Sequence, residues 1–223
     1  PVATALRLNP SVKDSLPYSV LQLVHVRQWR AGFDVIHFHS DYIHLPLART
    51  LFAGKPVTTM HGRLDMPDCQ TLFTEFSDTP LVSISNQQRE PLPFANWVGT
   101  VHHGLPLDMY PYSPRGGDYL AFLGRISPEK RLDLAIAVAK RVGIRLRVAA
   151  KIDPADRVYF EREIPPLLDD PLVEFIGELG DAEKGPFLGG AMALLFPVDW
   201  PEPFGLVMIE AMACGTPVIA RPY

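Results

Sequence analysis

Several things are scarce in this chain of 223 residues, and each scarcity removes a class of protein. There are two cysteines, Cys69 and Cys214, and no Cys-x-x-Cys pair. A disulfide framework is therefore excluded, and a reducing, cytoplasmic setting is expected. The longest apolar run, Ala191 to Val198, falls far short of the roughly 20 residues of a transmembrane helix. Basic charge is not in excess: the formal net charge is -4, which gives no case for nucleic acid or a membrane surface as partner. No internal repeat or low-complexity tract appears. The chain opens on "PVATALRLNP" without a methionine or a signal-peptide pattern, and it stops at "VIARPY", just past a strand-like run. Both ends read as cuts through a larger protein.

What is present is the material of two modest domains, since 47% of residues are hydrophobic and 21% charged. Short runs rich in Val and Ile, "FDVIHFHS", "KPVTTMHG" and "TPLVSIS", alternate with segments of helix length. The second half repeats the scheme with "DYLAFLGR", "IRLRVAA", "LVEFIGEL", "AMALLFP" and "TPVIA". Such alternation predicts α/β architecture with parallel sheets and crossover helices. The clearest helix follows "DYLAFLGR": Ser127 is placed to cap it and Pro128 to open it. Leu132, Ala135, Ile136, Ala139 and Val142 form its apolar face. "YPYSPRGGD" is dense in Pro and Gly, and it divides the chain into a domain over 1–110, a linker over 111–117 and a domain over 118–223.

The stretch "WPEPFGLVMIEAMACGTPV" sets Glu202 and Glu210 in a segment that otherwise looks like core, where an ionised carboxylate needs partners. Pro203 suits the first turn of a helix, which would make Glu202 its N-cap and put Glu210 about two turns inside. On the residues alone, Glu202 reads as a simple cap and Glu210 as a solvated side chain. In "FLGRISPEKR", Arg125 and Lys130 flank a strand-to-helix turn, where free N–H groups and the helix dipole favour an anion. A solvated basic loop is the alternative.

Together these motifs resemble the retaining glycosyltransferases of family 4, which have the GT-B fold of two Rossmann-like domains. The likeness rests on Glu, seven residues, Glu, opening with E-P-F-G and followed by E-A-M-A-C-G-T-P-V, and on L-G-R-x4-K. It implies that Glu202 faces the donor sugar and Glu210 holds the ribose hydroxyls. Arg125 and Lys130 would clamp the leaving diphosphate, stabilising the charge that develops there. Pro203, Phe204, Gly205 and Leu206 are counted with the donor-binding residues. His61, at the end of "TTMHGR", would face the donor sugar, as a strand's carboxyl end allows.

His37 and His39 share a strand face and form a possible metal pair, but nothing else nominates further ligands. The resembling family often carries D-V-x-H-x-H without metal, so the expectation is strand-end packing and no metal. Where the family ends a strand in Asn-Gly, this chain has His103-Gly104. The wording of "TTMHGRLDMPD" and "ANWVGTVHHGLP" resembles a bacterial subgroup labelled UDP-glucose:tetrahydrobiopterin glucosyltransferase. The family's N-terminal Gly-rich loop would precede Pro1, and the closing helix would follow Tyr223.

The expectation is therefore a GT-B enzyme truncated at both ends. It would move a hexose, UDP-glucose being the favoured donor, to an acceptor hydroxyl with retention and without a cofactor. No Asp-x-Asp appears in the chain. The alternatives are a UDP-sugar 2-epimerase of the same architecture and a metal-dependent hydrolase built on His37 and His39.

Overall fold

The structure is a computed structural model that describes residues 6, 9, 11–51 and 56–222. It divides into two compact units after His102. In the first unit, α1 (Leu16–Trp29), β1 (Ile36–Phe38), α2 (Leu45–Leu51), β2 (Pro56–Thr59), α3 (Pro67–Glu75), β3 (Leu81–Ser83) and β4 (Trp97–Thr100) follow one another. The strands form a parallel sheet in the order β1-β2-β3-β4. Its core gathers Leu45, Met60, Leu64, Phe73, Leu81 and Leu92. His44 lies wholly inside, stacked on Phe38 at 4.0 Å between ring centroids, with Nε2 2.6 Å from Thr58 Oγ1.

The second unit runs β5 (Tyr119–Arg125), α4 (Leu132–Val142), β6 (Leu146–Lys151), α5 (Arg157–Glu163), α6 (Pro165–Leu168), β7 (Val173–Gly177), α7 (Asp181–Gly189), β8 (Ala191–Phe196), α8 (Leu206–Ala213) and β9 (Val218–Ala220). Its strands are all parallel, in the order β7-β6-β5-β8-β9. The period of two along β5 divides its side chains between two cores. Leu120 and Phe122 pack with Leu132, Ile136 and Val148, while Tyr119 and Ala121 pack with Phe187, Leu188, Ala211 and Cys214. Helices therefore cover both faces of the sheet. Each of the eight strand-like runs contains a strand.

Local boundaries differ from the sequence reading in three places. Pro128–Lys130 is a separate 3-10 turn, and α4 begins at Leu132 after Arg131 takes a left-handed φ of 53°. Ser127 makes no side-chain cap there. Leu132, Ala135, Ile136 and Ala139 are buried as expected, but Val142 is 53% exposed, because its position falls at the margin of the apolar stripe. The stretch 111–117, expected as a linker, packs into the second unit: Ser113 N donates to Cys214 O at 2.9 Å. A Cβ on Gly117 would lie 1.5 Å from Gly190 O, so only glycine permits that approach.

Candidate active site

Strand order in the second sheet reverses between β5 and β8, because β5 leads outward through β6 to β7 and β8 leads the other way to β9. In doubly wound sheets the usual ligand position is beyond the carboxyl ends of the strands at such a reversal. Arg125 ends β5, and Lys130 lies in the turn after it. Glu202 lies in the segment after β8. The two segments are stitched together at three points. Asp199 N donates to Glu129 O at 2.9 Å, Arg131 Nη1 donates to Asp199 Oδ2 at 2.8 Å, and Lys130 Nζ donates to Glu202 Oε2 at 2.5 Å.

Lys130 and Glu202 are each 20% exposed at the side chain, so both charges have lost much of their water and rely on each other. Trp200 adds a second donor: its Nε1 lies 2.9 Å from the same Glu202 oxygen. The Lys130 ammonium also stands 5.2 Å from the Trp200 ring centroid and 5.8 Å from that of Phe196. Arg125 is more open. Its Nη2 donates to Glu129 at 2.7 Å and its Nε faces Asp156 at 3.4 Å. Burial pushes the Asp156 carboxyl above its ordinary range, partly offset by Arg125.

Glu202 is not the N-cap of the following helix. That position belongs to Gly205, whose φ of 79° is left-handed, and α8 starts at Leu206. The chain needs the loop from Glu202 to Gly205 to turn from the end of β8 into the helix, and the left-handed step delays its first turn. Pro203 is buried in that loop, and the Phe204 ring meets His103 edge-on at 5.0 Å. Glu210 consequently sits little more than one turn into α8, half-buried rather than solvated. Its Oε1 accepts a hydrogen bond from Tyr110 Oη at 2.8 Å.

In the first unit, His61 follows β2, and the buried Gln88 side chain fixes the backbone around it by donating to Met60 O and Gly62 O. His61 Nε2 lies 2.8 Å from His39 Nδ1, so one ring donates to the other. His37 Nε2 lies 2.7 Å from Thr59 Oγ1, and its ring packs on His39 at 4.2 Å. Burial and the neighbouring His39 lower the His37 pKa below the usual imidazole value. Among the described residues, no group of three or more His, Cys, Asp or Glu side chains could hold a metal ion. No described helix is long and apolar enough to cross a membrane.

Residues 113–223 match the model of the family described as Glycosyl transferases group 1. This stretch is a group 1 glycosyltransferase domain. A D-inositol 3-phosphate glycosyltransferase from Mycobacterium marinum is 28% identical over 89% of this chain and 48% of its own length. Its counterpart from Mycolicibacterium smegmatis is 31% identical over 70% of this chain and 38% of its own. The chain thus spans about half the length of the curated relatives it matches, or less.

Among solved structures, Anabaena HepE in complex with UDP and glucose superimposes with a TM-score of 0.73 at 19% identity, over 93% of this chain and 64% of that one. Sucrose-phosphate synthase from Thermosynechococcus elongatus gives 0.73 at 20% identity, over 95% and 62%. At such identities the likeness shows the fold, which is GT-B. The relatives named here favour neither an isomerase nor a metal hydrolase, and none carries a pterin acceptor in its name.

The sequence placed Arg125, Lys130 and Glu202 in one half of the chain, and the fold joins their two segments. The sequence did not nominate Trp200 beside Glu202, Asp156 beside Arg125 or Tyr110 beside Glu210. Trp200 stands inside the motif, where its indole N–H could have been paired with the carboxylate two residues on. Asp156 and Tyr110 left no local signal, because each meets its partner only through the fold.

Proposed function

We propose that this chain is the donor-binding part and much of the remainder of a retaining hexosyltransferase that uses a UDP-sugar, UDP-glucose first among them. The observation that carries the reading is the reversal of strand order at β5 and β8, which unites Arg125, Lys130 and Glu202 beyond the sheet. HepE, a structural neighbour, is described with UDP and glucose, which supports the choice of donor.

An ammonium has three donors, and Lys130 gives one to Glu202, leaving two for a diphosphate. Arg125 offers a planar fork to the same group. The bond from the anomeric carbon to the diphosphate oxygen breaks, and a bond to the acceptor oxygen forms on the same face. The acceptor proton passes to the departing diphosphate. Both cations act where negative charge grows in that step. Glu202 Oε1 faces the sugar hydroxyls and the developing positive charge at the anomeric carbon, while Trp200 and Lys130 hold its other oxygen. Glu210 takes the ribose. His61, on the first unit, is assigned to the donor sugar on the motif resemblance alone. No cofactor or metal enters this scheme. The two free, buried thiols support a cytoplasmic setting.

The acceptor is a hydroxyl compound. Inositol phosphates, from the relatives' names, and a pterin polyol side chain, from the subgroup wording, are the two to test. The deciding experiment measures UDP and uridine affinity for the wild type and Arg125→Ala, beside transfer from UDP-glucose to both acceptors. Arg125→Ala weakens UDP about tenfold or more and uridine little, as loss of a charge-assisted contact requires. Equal losses on both ligands remove the diphosphate role.

A further inference from the structure

We propose that Tyr110 is a positioning residue for Glu210, holding that carboxylate in the orientation that receives the two ribose hydroxyls; this rests on the donor-site reading above. Tyr110 ends the short turn Leu107–Met109, in a stretch that the sequence assigns to the edge of the other domain. Its ring is 5% exposed and packs among Phe187, Leu188, Ala211 and Cys214. A phenol so enclosed needs an acceptor for its O–H, and Glu210 Oε1 supplies it at 2.8 Å.

The direction of this bond follows from chemistry. An ionised carboxylate only accepts, so the tyrosine donates. Burial, then the Glu210 carboxylate itself, push the phenol pKa well above its ordinary value, which keeps the donor proton in place. Among the described residues no cation pairs with Glu210, and Tyr110 is its side-chain donor. One carboxylate has about four lone-pair sites, and Tyr110 takes one of them. Two O–H donors of a cis-diol match what remains.

A glutamate on a helix surface would otherwise sample several rotamers, and the ligand would have to freeze them. The bond from Tyr110 does this in the fold, before the ligand arrives, which is preorganisation in its ordinary sense. The same segment reaches the other end of the motif, where His103 meets Phe204 edge-on. Residues 103–110 thus contact both the loop before α8 and the second glutamate.

The test uses the complete protein and the variants Tyr110→Phe, Glu210→Gln and the double variant. UDP and 2′,3′-dideoxyuridine diphosphate are titrated, and donor KM and kcat are measured. Tyr110→Phe removes one oxygen and keeps the buried ring. It should weaken UDP about five- to tenfold, as one lost hydrogen bond does, raise donor KM by the same factor and leave kcat nearly unchanged. The dideoxy analogue should be bound equally by wild type and variant, and Tyr110→Phe should have no further effect in the Glu210→Gln background. Equal weakening of both nucleotides, or an undiminished effect without the carboxylate, would show a merely structural tyrosine and overturn the proposal. If Glu210→Gln weakens UDP and Tyr110→Phe does not, the proposal alone fails. If Glu210→Gln leaves UDP unaffected, the assignment of the ribose to Glu210 fails, and this proposal with it.

Discussion

Lowering the pH should destabilise the first unit through a single side chain, His44. Its imidazole is fully buried, stacked on Phe38, with Nε2 against Thr58 Oγ1 and Nδ1 3.4 Å from Ser40 Oγ. None of these neighbours carries a charge that could balance an imidazolium, and burial lowers the pKa from 6.5 to about 4. The unfolded chain takes up the proton near 6.5 and the folded one only near 4, so between these values the unfolded state binds more protons. Stability is therefore complete above about pH 6.5 and falls as pH drops towards 4. One proton contributes about 1.4 kcal/mol per pH unit, which makes about 2 kcal/mol lost by pH 5 and about 3 kcal/mol across the window. Urea unfolding at a series of pH values, comparing wild type with His44→Gln, isolates this contribution. Glutamine retains hydrogen-bonding atoms for Thr58 but does not titrate. Hydrogen exchange at Thr58 and Met60 reads the same unit directly. The wild type should lose about 2 kcal/mol more than His44→Gln between about pH 7 and 5; parallel pH profiles would refute the reasoning.

Two further predictions concern the second unit. Lys130→Met leaves Glu202 with Trp200 as its donor, so it should destabilise by about 1–3 kcal/mol, and adding Glu202→Gln should recover much of that loss. A strictly additive double-mutant cycle in urea would show that the two charges do not depend on each other. Gly205→Ala forces a left-handed φ of 79° on alanine and brings a Cβ within 2.5 Å of the Met208 methyl. The methionine tail can move but the backbone cannot, so about 1–2 kcal/mol should be lost together with donor affinity. An unchanged unfolding midpoint would contradict this.

The alternation of strand and helix was legible because each β-strand of the second unit is a short apolar run bounded by Gly, Pro or charge. So was the placement of Arg125 and Lys130 at the turn after β5, since a strand-to-helix turn fixes what lies just beyond a strand. The start of α8 was not. Pro203 fits a first helical turn by its own φ, and only tertiary contacts decide that Gly205 turns left-handed first. The domain boundary was misplaced for a similar reason. Pro and Gly density at 111–117 marks irregular backbone, and irregular backbone can be packed as well as free. Gly117 pressed against Gly190 is the packed kind. Tyr110 and Glu210 are separated by 100 positions, and no local pattern announces such a pair.

The division after His102 has a practical meaning for recombining glycosyltransferase halves. A junction made in the Pro/Gly stretch would look natural by sequence, yet the segment carrying His103 and Tyr110 would then come from a different parent than Phe204 and Glu210. Such a hybrid would fold around a mismatched seam inside one unit. A junction made after His102 keeps the whole segment with the unit whose Phe204 and Glu210 it touches.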